Sequence, residues 1–85
     1  MVTYTRELRS MPLWLLREYM EELGGHALTE TQINGDGWHA ELERMEDYSI
    51  GSLRVGQVRL TWTGDEQAQR DTWPKLEQKL ARAGG

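Results

Sequence analysis

The 85-residue chain contains no cysteine. That excludes a disulfide framework, a thiolate nucleophile, a CxxC redox pair and any cysteine-ligated zinc site, whatever the compartment. Long apolar runs are missing too. The longest is Leu13 to Leu16, far short of the roughly 20 residues that span a bilayer, and no charged leader precedes a signal-like stretch. The expectation is a cytoplasmic protein with no membrane partner. Base is scarce beside acid, with 10 Lys and Arg against 14 Asp and Glu and a net charge of −4. Nucleic-acid binding draws its non-specific affinity from clustered cations, so nucleic acid is not an expected partner.

What is present is 38% hydrophobic residues, including four tryptophans, in a length that suits one small core. Residues 1–85 are therefore read as a single domain. Met1-Val2-Thr3-Tyr4-Thr5 alternates apolar with polar residues and predicts a short first strand. Ser10 and Pro12 then read as the start of a helix, with Ser10 as its cap, and Leu13, Leu16, Met20 and Leu23 fall at helical spacing. Trp14, Leu15 and Tyr19 widen the apolar stripe, and Gly24-Gly25 ends the helix.

From His26 to Thr63 the period switches to two, with punctuation at Asn34-Gly35-Asp36-Gly37, at Met45-Glu46-Asp47, and at Gly51 and Gly56. Four strands fit. Trp38, Ala40 and Leu42 alternate with His39, Glu41 and Glu43, and Val58, Leu60 and Trp62 with Arg59, Thr61 and Thr63. Tyr48, Ile50, Leu53 and Val55 share a side only if a bulge sits near Gly51-Ser52, with Gly56 closing a hairpin. Asp65 caps a closing helix that Pro74 kinks or breaks, with Thr72 as a second cap and Trp73, Leu76, Leu80 and Ala83 as its buried line. The order is β-α-β-β-β-β-α, an α+β fold with an antiparallel sheet and two helices packed on one face.

The opposite face would carry Thr3, Thr5, His39, Glu41, Glu43, Arg54, Arg59, Thr61 and Thr63, a polar surface with both signs of charge. Arg54 and Arg59 suit an acidic partner or a carboxylate ligand, or an ion pair with Glu41 or Glu43. Trp38 and Trp62 offer large apolar area with one donor each and are the aromatic candidates for a ligand groove, although all four tryptophans read first as core.

Leu15-Leu16-Arg17-Glu18-Tyr19-Met20-Glu21-Glu22-Leu23-Gly24-Gly25, Gly35-Asp36-Gly37-Trp38, Ile50-Gly51-Ser52-Leu53-Arg54-Val55-Gly56 and Arg59-Leu60-Thr61-Trp62 carry a resemblance over residues 12–83. They resemble the small domain that follows the sulfur-carrier domain in MoaD-related proteins. The resemblance implies a TATA-binding-protein-like fold and a link, through the company the domain keeps, to molybdenum-cofactor or sulfur-carrier pathways. It implies no activity residue by residue, and architecture does not settle function.

His39, Glu41 and Glu43 line one face of a strand at neighbour spacings of about 7 Å, but a zinc site wants three fixed ligands and only His26 remains as a further imidazole. Ser10, Ser49 and Ser52 sit in no nucleophile-elbow pattern, and the glycine pairs are too short for a phosphate cradle. The expectation is a protein that is not an enzyme and uses no metal or cofactor. It would be an accessory module that binds a protein partner or a small ligand, and a homodimer by strand pairing is a further expectation. The alternative is a sulfur-carrier-like protein that uses its terminal Gly84 and Gly85, although these glycines follow a helical pattern whereas a β-grasp carrier tail follows a strand.

Overall fold

Alternation at the N-terminus does not stop at Thr5. Val2, Tyr4 and Leu8 turn inward while Thr3, Thr5 and Glu7 stay exposed. In the computed structural model, which describes residues 1–82 apart from the side chain of Tyr48, strand β1 therefore runs Val2–Arg9, well beyond the short strand predicted. Helix α1 follows at Leu13–Glu22, then β2 at His26–Ala27, β3 at Gln32–Gly35, β4 at Trp38–Ile50, β5 at Leu53–Gly64, α2 at Glu66–Asp71 and α3 at Trp73–Arg82. The strands form one antiparallel sheet in the order β1-β5-β4-β3-β2. This α+β layering, with the helices on one face, is the one expected from the pattern and from the resemblance.

The core lies between that face and the helices. Leu16 and Met20 of α1, Ile33 of β3, Leu60 and Trp62 of β5 and Leu76 of α3 have no solvent exposure. Trp38, Ala40 and Leu42 join them from β4, Trp73 and Leu80 from α3. Around the fully buried Trp62 ring, Tyr4 and Trp73 stack face to face at 4.4 Å, and Trp73 meets Trp62 at 5.3 Å between ring centroids. Aromatic pairs of this kind add roughly 0.5 to 1.5 kcal/mol beyond the area they bury. Trp14 departs from the reading that placed it in the stripe. It is 58% exposed, because it projects from the outer side of the first turn of α1.

The helix ends follow local chemistry, with one correction. α1 closes through Gly24, at φ +92, with the Gly24 and Gly25 amides donating to the carbonyls of Glu21 and Met20. Its other end is not capped by Ser10. Pro12 holds the N-cap position without a side-chain bond, while Ser10 lies two residues earlier in the left-handed region at φ 60 and donates its amide to Gly56. The Asp65 carboxylate accepts from the Ala68 amide at 2.8 Å, a cap that contributes about 1 kcal/mol to α2. Of the kink or break expected near Pro74, the closing helix shows a break, between Asp71 and Trp73. Thr72 serves as the C-cap of α2 rather than as a side-chain cap of α3, and Pro74 falls in the first turn of α3, where its missing N–H costs nothing. Ala83 lies outside the described residues, and no helix among the described residues is long and apolar enough to cross a membrane.

The largest correction concerns β4 and β5. Met45-Glu46-Asp47 does not end a strand; the register shift sits there, between Met45 and Tyr48, with Glu46 and Asp47 opposite Gly56. Gly51-Ser52 forms the hairpin turn, with Gly51 at φ 60, and Gly56 lies inside β5 instead of closing a hairpin. The two strands run 13 and 12 residues and project beyond the helices as an arm, giving an elongated molecule of 44 × 23 × 21 Å. The bulge moves the apolar frame of β4 to the other side. Ile50 and its partner Leu53 are thus 57% and 68% exposed instead of buried.

Candidate functional site: the open face of the sheet

Antiparallel register sets directly paired residues on the same side of a sheet, so the uncovered face can be read row by row. The first row is His26, Asn34, His39, Thr63 and Thr3; the second is Gln32, Glu41, Thr61 and Thr5; the third is Glu43, Arg59 and Glu7. Of the residues expected on this face, His39, Glu41, Glu43 and Arg59 come together as the strand alternation requires, flanked by the threonines.

The polar groups interlock across the strands. His39 Nδ1 meets Asn34 Oδ1, and its Nε2 lies 3.4 Å from Glu41 Oε1. Thr3 and Thr63 share a hydroxyl contact at 3.3 Å. Arg59 sits between two carboxylates, 3.5 Å from Glu43 and 3.6 Å from Glu7. The expected Glu43 partner is present, and Glu7 is a second one that the short first strand had concealed. The extended alternation of Arg6 and Leu8 against Glu7 and Arg9 was the available signal. These carboxylates are 56% and 68% exposed, so water screens them and the pairs contribute little to stability. Their value is orientation: Arg59 is held upright between acids, with its remaining donors free to engage an incoming acceptor.

Arg54 does not belong to this face. β5 runs without a bulge from Leu53 to Gly64, so Arg54 shares the parity of Val58 and Leu60 and lies on the helix side of the projecting arm, opposite Ser49. Trp38 and Trp62 are also on the helix side, 5% and 0% exposed, and form core rather than surface. Gly84 and Gly85 lie outside the described residues.

Among the described residues no three His, Asp or Glu side chains converge in a way that could hold a metal ion. Ser10 follows β1 and lies beside Gly56, whereas His39 pairs with Thr63 near the far end of β5. Seven strand positions separate the two, about 23 Å, so they form no nucleophile–base pair. What the face can do chemically is present alternating donors and acceptors in rows that cross the sheet.

No curated protein matches the chain. The family model described as archaeal MoaD-like protein matches residues 4–85, nearly the whole length, and the chain belongs to that family.

Proposed function

We propose that this MoaD-related domain is a non-catalytic accessory module that presents the open face of its sheet to a protein partner. The observation that carries the reading is the row Glu43–Arg59–Glu7 with the His39–Glu41 pair beside it, an exposed polar platform on the long strands. Side chains fill the space around Trp62, which is fully buried, and this supports a surface role over a ligand held at the centre of the helix–sheet interface. Mixed charge of this kind gives specificity and steering more than raw affinity.

Affinity capture with the wild-type chain and with Glu43→Arg, Arg59→Glu and the double swap tests this. Each single variant is expected to lose the partner. The double swap restores an acid–base pair across β4 and β5 but sets a new carboxylate beside Glu7. Because these groups are exposed it is expected to fold with only a small loss of stability and to differ from wild type mainly in capture. Deuterium exchange should show protection of residues 38–43 and 57–63 in the captured complex. Turnover of a substrate by the purified chain, lost on changing His39 or Glu41, overturns the reading.

Membership of the MoaD-like family favours a second reading, a sulfur carrier that acts through Gly85. Intact-mass measurement after incubation with an activating enzyme and ATP is expected to show an adenylate or thiocarboxylate on that residue if it holds. An unmodified terminus rejects it.

A further inference from the structure

The two edges of the sheet are unequal. One is β2, only two residues long, a length that by itself discourages pairing with another chain. The other is β1, eight residues long, with no proline and no bulge in its pairing with β5. Which of its backbone groups face outward follows from one bond. Ser10 N–H donates to Gly56 O at 2.8 Å, in the same register that pairs Val2 with Gly64 and Leu8 with Val58. Hydrogen-bonded and non-bonded pairs alternate along an antiparallel ladder, so the even-numbered residues of β1 bond to β5. The N–H and C=O groups of Thr3, Thr5 and Glu7 point to the free edge. Arg6 agrees with this: its Nη1 reaches round to donate to Thr5 O at 3.1 Å, which a carbonyl engaged in the β5 ladder would not invite.

We infer that β1 pairs with β1 of a second copy of this chain, antiparallel about a two-fold axis through Thr5, to form one continuous sheet with all helices on the same face. The axis position follows from charge. A two-fold axis perpendicular to the sheet keeps every side chain on its own side, so residues pair only with residues of like parity. An axis at Arg6 sets Arg6 against Arg6, and an axis at Glu7 sets Glu7 against Glu7. An axis at Tyr4 sets Val2 against Arg6 and leaves Leu8 unmatched. An axis at Thr5 opposes no like-charged side chains. It sets Thr5 against Thr5, Thr3 against Glu7, Tyr4 against Arg6 and Val2 against Leu8, and it places the outward-facing groups of Thr3, Thr5 and Glu7 in about six backbone hydrogen bonds. Tyr4 and Arg6 then meet as a closely spaced pair, and Arg6 already lies over aromatic faces, 5.9 Å from its own Tyr4 ring and 5.2 Å from Trp73.

Sedimentation equilibrium of the full chain from micromolar to millimolar concentration is expected to show the mass rising from that of one chain, 9.9 kDa, to twice that value. Thr5→Pro removes the N–H on the axis while leaving the β5 ladder intact, and is expected to weaken the dimer by about tenfold or more; Thr5→Val keeps the N–H and stays within about twofold of wild type. Thr5→Cys supplies a variant that needs no loss of backbone bonding. The chain has no other cysteine, and paired axial residues lie about 5.5 Å apart, within disulfide reach. Mild oxidation is expected to give a covalent dimer from Thr5→Cys and none from Thr3→Cys, whose copies lie about 14 Å apart in this register. A wild-type chain that stays monomeric at millimolar concentration, or equal cross-linking of the two cysteine variants, overturns the inference.

Discussion

Replacing Trp62 by alanine is expected to leave much of the chain unfolded at 37 °C. The ring is fully buried, packed against Trp38, Trp73 and Tyr4, and sits where the sheet meets the helices. Removing a buried aromatic of this size costs about 3 to 5 kcal/mol, the sum of lost transfer energy and the cavity left behind. Total stability for a chain of this length is on the order of 4 to 13 kcal/mol, so one substitution removes a large share of it. Trp62→Phe is the informative partner. Trp62 Nε1 is buried and has no acceptor among the described residues, so the indole N–H is desolvated without compensation. Phenylalanine loses area but also removes that unpaired donor, and is expected to cost only about 1 to 2 kcal/mol. Urea denaturation followed by far-ultraviolet circular dichroism separates the two. Equal losses for both variants would show that the donor finds a partner after all.

Gly35→Ala is expected to destabilise by about 3 kcal/mol, although it adds a single methyl group. Gly35 pairs with Trp38 across the β3–β4 ladder, and the Trp38 ring lies directly over it. A Cβ at Gly35 would overlap ring atoms Cε2, Nε1 and Cζ2, and the ring is 5% exposed and stacked toward Trp62, so it can shift only at the expense of core packing. Gly56→Ala makes the contrast. A Cβ there meets nothing within 4 Å, and the backbone is not in the left-handed region, so the loss of unfolded-state freedom is expected to raise stability by roughly 0.5 kcal/mol. The same urea measurement reads both. A Gly35→Ala protein as stable as wild type would mean that the β3–β4 turn yields to let the ring shift.

The glycines show how much of the fold was legible. As letters in the sequence, Gly35, Gly51 and Gly56 all read as turn or bulge signals. In the structure they do three different things: close approach to an indole, a hairpin turn at φ 60, and a strand interior opposite a bulge. Composition and period located the need for irregularity near residues 45 to 56 but not which residue would carry it. A bulge in one strand and a shift of apolar frame in its partner are equivalent from either strand alone. Only their mutual pairing chooses between them.

The candidate face divides in the same way. His39, Glu41, Glu43 and Arg59 were placed together because the side-chain period of a strand is fixed by backbone pleating, and nothing elsewhere in the molecule alters it while the register holds. Arg54 was misplaced because Gly56 was read as the close of a hairpin; β5 runs through it unbroken, so Arg54 keeps the parity of Val58 and Leu60. Glu7 joined the face from β1, at a separation in sequence from Arg59 that no local pattern connects, whereas Asn34 reaches His39 across the tight β3–β4 turn.

Sequence alone determined the class of fold, the two amphipathic layers and the alternating platform, because each rests on local periodicity and on the burial that so short a chain demands. Tertiary structure decided the strand order, the position of the bulge, the full length of β1 and the backbone groups it turns outward. Those depend on hydrogen-bond pairing between segments up to about sixty residues apart, and pairing is a property of two strands, not of one.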